Sequence, residues 1–107
     1  MLGLETALAV TITELVDPGI ISLREALALL SWKPAAIAGL AGHGGPIIPG
    51  APANLTIFDP GQEWVVEPER LASRARNTPF AGRTLKGRVK HTLLAGDPVV
   101  VDGEATR

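Results

Sequence analysis

Cysteine and tyrosine are absent from these 107 residues. Without cysteine there is neither a disulfide framework nor a thiolate metal site, and the chain is compatible with a reducing cytoplasm. Aromatic residues make up only 4% although 46% of the chain is hydrophobic, and much of that apolar content is alanine, which buries little area per residue. Ten Lys and Arg stand against 11 Asp and Glu, a net charge of −1. That balance leaves no electrostatic footprint for nucleic acid or an anionic membrane. No apolar run approaches the roughly 18 residues needed to cross a bilayer. The first residues carry Glu5 and Glu14 without a basic cluster, unlike a signal peptide. The length suits one small domain, but 12 Gly and 9 Pro interrupt it. Small side chains and frequent breaks give a limited core, so the chain reads as part of something larger.

Helical spacing dominates the first third. Leu4, Leu8, Thr11, Ile12 and Leu15 recur on one face, with Ala7 beside them, and Asp17-Pro18-Gly19 stops the helix. Ser22-Leu23-Arg24-Glu25 fits a capping box and predicts a second helix with Leu23, Ala26, Leu27 and Leu30 as its apolar face. Pro34 suits the first turn of a short third helix through Leu40, to be ended by Gly42 or Gly44. Beyond this the chain changes character, because the Gly- and Pro-dense stretch from Gly42 to Pro52 supports no helix. Leu55 to Phe58 predicts a strand ended by Asp59-Pro60-Gly61, and Trp64 to Val66 a second. Pro68 to Ala75 has room for one or two helical turns before the irregular loop Asn77-Thr78-Pro79-Phe80. Val89 to Leu94 and Val99 to Val101 form two further strands, joined as a hairpin across Gly96-Asp97-Pro98.

A search for chemistry finds little that converges. His43 and His91 are the only imidazoles and lie 48 residues apart. A catalytic zinc centre wants about three protein ligands, usually with a closely spaced histidine pair, so both histidines read as surface or structural. Gly42-His43-Gly44-Gly45 lacks the Lys-Ser/Thr and the following helix that a phosphate cradle requires, and reads as a turn. Asp59 and Glu63 are paired carboxylates flanking a turn and facing water. Arg70, Arg74, Arg76, Arg83, Lys86, Arg88 and Lys90 form a basic run with a single aromatic, Phe80, which reads as a solvated face. Ser22 and Ser31 lie at helix starts, where capping accounts for them. No acid, base and oxyanion site come together, so no catalytic, substrate-binding or metal-ligating residue is assigned.

Three segments resemble one family. Gly3-Leu4-Glu5-Thr6-Ala7-Leu8 is similar to a segment that follows the active site of bacterial-type dihydroorotases. Pro34 to Leu40, Gly45-Pro46-Ile47-Ile48-Pro49-Gly50 and Ala53 to Pro60 resemble the general signature of amidohydrolases, shared with hydantoinases, allantoinases and deaminases. Arg76 to Gly82, Leu85-Lys86-Gly87-Arg88-Val89 and Thr92 to Gly96 resemble the dihydroorotase C-terminus. The pattern is broken at Lys33, where Asn is usual, at Asn54, where Asp is usual, and at Ala75, where Ser is common. The first weakens a helix cap and the second alters a turn.

The resemblance implies an α+β fragment: the last helices of a (β/α)8 amidohydrolase barrel over residues 1–42, then the C-terminal strands of an accessory β-sandwich over residues 43–107. It implies a parent that uses zinc, held by an early His-x-His, a carboxylated lysine, two further histidines and a late Asp, to interconvert dihydroorotate and N-carbamoyl-aspartate in pyrimidine biosynthesis in the cytoplasm. All of those ligands belong before Met1, so this chain is expected to act as scaffold, inactive and metal-free alone, with the preceding part of the parent as its partner. Alone it is expected to aggregate, self-associate or melt with low cooperativity. The tail of an allantoinase or hydantoinase, or a stand-alone structural or interaction module, are the alternatives.

Overall fold

A computed structural model describes residues 5–40, 43–72 and 77–106. Three helical elements lead into an antiparallel meander. Helix α1 spans Ala7–Thr11 and runs on without a break as a π-helical stretch, Ile12–Val16. It stops where expected, with Asp17 closing the last turn on the Ile12 carbonyl at 2.8 Å. Leu4 of the expected apolar face lies outside the described residues. Of the rest of that face only Ile12 is buried; Leu8, Thr11 and Leu15 are half-buried, Ala7 is exposed, and Ala9, outside the expected face, is buried instead. The shift follows from what the helix packs on, a glycine in the sheet that admits only a small neighbour.

Helix α2, Leu23–Leu30, begins with the expected capping box. The Glu25 amide donates to the Ser22 hydroxyl at 3.1 Å, and the Ser22 amide donates to the Glu25 carboxylate at 3.2 Å. Helix α3, Trp32–Ala38, carries Pro34 in its first turn, but the Ser31 hydroxyl makes no capping bond. Gly39, rather than Gly42 or Gly44, ends it. It adopts φ 70°, its amide reaches the Ala36 carbonyl, and the Leu40 amide reaches the Ala35 carbonyl at 2.9 Å. Those two bonds satisfy carbonyls the helix leaves open, and only an αL residue allows both. Gly42 lies outside the described residues.

The sheet has the order β1-β2-β3-β4, with β1 Leu55–Val65, β2 Thr84–Leu94, β3 Asp97–Val101 and β4 Glu104–Ala105. The two strands expected on either side of Asp59-Pro60-Gly61 are one. Asp59 pairs with Arg88 and Glu63 with Lys86, so three residues of β1, Pro60 to Gln62, stand against the single Gly87 of β2. The turn signal therefore makes a bulge within a continuous ladder instead of ending it. After a single 3-10 turn, Pro68–Arg70, residues 73–75 of the expected helical stretch lie outside the described set. The β2–β3 hairpin turns at Ala95 and Gly96, both at positive φ (51° and 87°), one step earlier than expected. Asp102 and Gly103 repeat that geometry before β4 (φ 51° and 81°). Both are two-residue turns of the type that matches strand twist.

The core is small. Ala9, Val66 and Leu85 form it, with Val10, Trp64 and Phe80 packed around them. Helix α1 lies across β2 where β3 does not reach. There the Thr13 hydroxyl accepts from the Lys86 amide at 2.8 Å and donates to the Lys86 carbonyl at 3.3 Å. One side chain thus satisfies both open edge groups of that residue. Replacing Thr13 with valine keeps the shape and leaves both backbone groups unpaired in a half-buried place, for an expected loss of about 2 kcal/mol. Urea unfolding of Thr13→Val beside Thr13→Ser checks this, the serine variant holding most of the stability.

Candidate functional site

The residues singled out by sequence are scattered, and each is engaged locally. His43 is exposed at the end of the segment that follows α3. His91 lies in β2 opposite Ile57; its Nδ1 accepts from the Asp102 amide at 3.4 Å, and its Nε2 stands 3.8 Å from the Asp102 carboxylate. Gly44 rests on the first turn of α3, where a Cβ would come within 3.0 Å of the Trp32 Cα and the Ala35 Cβ. Close backbone packing explains that glycine. The Asp59 carboxylate accepts from the Gly61 amide at 2.9 Å and shapes the β1 bulge, with Glu63 exposed on its far side. Ser22 caps α2.

Four members of the basic run, Arg70, Arg83, Lys86 and Arg88, are engaged by the chain itself. Arg83 pairs with Glu14, Lys86 with Asp17 at 3.1 Å and Arg70 with Glu67 at 3.5 Å. The Arg88 guanidinium lies 4.9 Å from the Trp64 ring centre, while the indole Nε1 donates to the Gly87 carbonyl at 2.8 Å. The Arg83 and Lys86 pairs tie the π-helical stretch and its end to the start of β2, the Arg88 and Trp64 contacts tie β2 to β1, and the Arg70 pair is local. They are exposed pairs of small individual worth, and they leave no continuous cationic strip. Arg74 and Arg76 lie outside the described residues. Among the described residues no three His, Asp or Glu side chains stand close enough to share a metal ion, so the donor set that zinc requires is not offered by them. Among the described residues no helix is long and apolar enough to cross a membrane.

What the surface does offer is apolar area. The chain presents 7182 Å² to solvent, against roughly 5,700 Å² for a self-contained globule of 11.2 kDa. The excess, roughly 1,500 Å², is about twice what one partner gives to a standard protein interface. Ile37 is 88% exposed and Ile47 85%. Leu40, Ile48, Ile57 and Val65 are also exposed. A separate shallow groove of about 250 Å³ lies between α2 and the start of α3. Sequence reasoning missed Thr13, Gly87 and this groove, because periodicity says which residues share a face and not whether that face is covered.

A chain with a slight core, a short meander and large open apolar faces is a portion of a larger architecture, and its relatives are of that kind. The chain belongs to the amidohydrolase family, whose pattern matches residues 2–99. It is similar to the dihydroorotase of Streptomyces coelicolor, 47% identical over 106 residues, which cover 99% of this chain and 25% of that protein. The dihydroorotase of Mycobacterium leprae is 49% identical over 96 residues, covering 90% of this chain and 22% of that protein. Among solved structures, the L-hydantoinase (dihydropyrimidinase) of Arthrobacter aurescens superposes with a TM-score of 0.87 at 29% identity, over 99% of this chain and 24% of that one. The chain thus spans about a quarter of the length of the curated relatives it matches.

Proposed function

We propose that these residues serve as the structural closing segment of a dihydroorotase, a hydrolase of the cyclic amide bond of dihydroorotate in cytoplasmic pyrimidine biosynthesis. In this reading residues 1–42 supply the last helices on the flank of a (β/α)8 barrel, and residues 43–107 supply strands of its accessory β-sandwich. The partner is the remaining three-quarters of such a protein. The observation that carries the reading is the uncovered apolar surface on a chain whose identity to dihydroorotases runs along nearly its whole length. Zinc chemistry belongs to that remainder. The described side chains here do not fit the ion, and no catalytic, substrate-binding or metal-ligating role is assigned to them. A hydantoinase parent is supported by shape, but the higher identity to dihydroorotases favours the first reading.

A chimera tests it. The Streptomyces coelicolor dihydroorotase with its matching quarter replaced by this chain is expected to hydrolyse dihydroorotate within about tenfold of the parent, a span of about 1.4 kcal/mol in barrier. The same enzyme lacking that quarter, and this chain alone, are expected to show no turnover. Chelator-sensitive hydrolysis by the chain alone would overturn the proposal, and so would a folded chimera that acts only on hydantoins.

A further inference from the structure

Helix α1 is fastened to the sheet region at both ends. At its C-terminal end the π-helical stretch is held by side chains: Glu14 pairs with Arg83, Asp17 with Lys86, and Thr13 takes both backbone groups of Lys86. At its start the fastening has another form. The Glu5 carboxylate accepts from the Ala72 amide with both of its oxygens, at 3.0 and 3.1 Å, across 67 residues of sequence. Ala72 lies just beyond the turn Pro68–Arg70, on the stretch that leaves Val66 in the core. Thr6, next to Glu5, is 2% exposed, and its carbonyl accepts from the Val10 amide at 2.9 Å. The chain at residues 5 and 6 is thus gripped twice, by the stretch that follows β1 and by the helix it begins. Helix α2 packs on the π-helical stretch and α3 on α2, so α1 with its continuation is the helical element seated on β2. The Glu5 bond is exposed and adds little to stability. What it adds is direction, because a charge-assisted bond to a backbone amide fixes where the chain enters α1.

We propose that Glu5 is a positioning residue for the hydrolysis proposed above, an inference that rests on that reading. In that reading the reacting groups belong to the part of the enzyme that joins this chain ahead of Glu5. By gripping the Ala72 amide, the carboxylate sets the line on which that part meets the sheet. Glu5 itself touches no substrate and acts through the backbone. A drift of about 1 Å at the entry to α1 is carried upstream into the groups that hold the substrate, and a displacement of that size lowers productive binding even when it starts far from the chemistry.

The test uses the full-length protein that carries these residues, as wild type, Glu5→Ala and Glu5→Gln. Glutamine keeps a carbonyl that accepts from the Ala72 amide, and alanine keeps no acceptor. Glu5→Ala is expected to raise KM for dihydroorotate about tenfold with kcat within about twofold of wild type, because a shifted entry removes binding that substrate and transition state share. Glu5→Gln is expected to bring KM back to within about threefold of wild type. The melting temperature is expected to be unchanged in both variants, and hydrogen exchange at the Ala72 amide to quicken in the alanine variant alone. An unchanged KM in Glu5→Ala would overturn the proposal even beside a lower kcat, since a merely structural contact changes how much enzyme is folded and not its affinity. A glutamine variant as impaired as the alanine one, or Ala72 exchange that is the same in all three proteins, would overturn it as well. A wild type that hydrolyses hydantoins and not dihydroorotate would sink the dihydroorotase reading alone, and the same comparison of KM on a hydantoin would then decide the role of Glu5. A wild type that turns over neither would overturn both.

Discussion

Gly87→Val is expected to be the most damaging single change at a residue with no chemistry of its own. Gly87 is buried in β2 with φ 101°, and a Cβ there would stand 2.8 Å from the Ile12 Cδ1 and 3.6 Å from the Ala9 Cα. Two penalties combine. An L-residue in that backbone region costs about 1–2 kcal/mol, and forcing volume into a packed contact costs about 1–3 kcal/mol more. The expected loss is therefore about 3–4 kcal/mol, read as a lower urea midpoint with an unchanged slope. Ile12 supplies the internal control. Ile12→Val deletes the very methyl that the new Cβ meets, at about 1 kcal/mol by itself. In a Gly87→Ala background the same deletion should restore stability, so the cycle shows a coupling of about 1 kcal/mol or more. Additive losses would mean that α1 does not lie on β2 as described.

That contact also marks the limit of what could be read from the chain. The Ser22 to Glu25 capping box was legible because both of its bonds are made within four residues. The Asp17-Pro18-Gly19 stop was legible for the same reason. Asp59-Pro60-Gly61 was misread because turn residues speak only of local backbone, while the ladder to β2 resumes beyond the bulge and holds both halves in one strand. The turn at Ala95 is set from a distance: the Ala95 amide donates to the Asn54 side chain at 2.8 Å, and the Gly96 amide to the Ala53 carbonyl at 3.1 Å. Those bonds hold an alanine at positive φ, where composition alone would never put one. They also give Asn54, which departs from the family pattern, a definite task in fixing the hairpin. The π-helical turn at Ile12–Val16 has no sequence signal, and it coincides with the Thr13 bonds to Lys86. Family resemblance was legible in Pro34 to Pro60 because glycines and prolines at fixed spacing are rare combinations, and the family match over residues 2–99 spans them.

Leu85 and Ile37 are expected to respond oppositely to context, and the contrast measures how far this chain depends on a larger body. Leu85 is fully buried, and with Val66 it is the largest side chain in the core. Leu85→Ala should cost about 3 kcal/mol from lost contact and residual cavity, whether the chain stands alone or within a longer protein. Folded domains have only about 5–15 kcal/mol in hand, and a core with two such residues lies at the low end. The isolated variant is therefore expected to lose the Trp64 fluorescence signature of packing, while the longer protein carrying it melts lower but still folds. Ile37 is 88% exposed here, so Ile37→Ala should stay within about 0.5 kcal/mol of wild type in the isolated chain. If the remainder of an amidohydrolase covers that side chain, as proposed above, its truncation there should cost about 2–4 kcal/mol. Paired unfolding curves of the two variants in both contexts decide the matter. A neutral Ile37→Ala in the longer protein would mean that the apolar end of α3 faces water there too. The excess surface would then belong to an external partner and not to the parent fold.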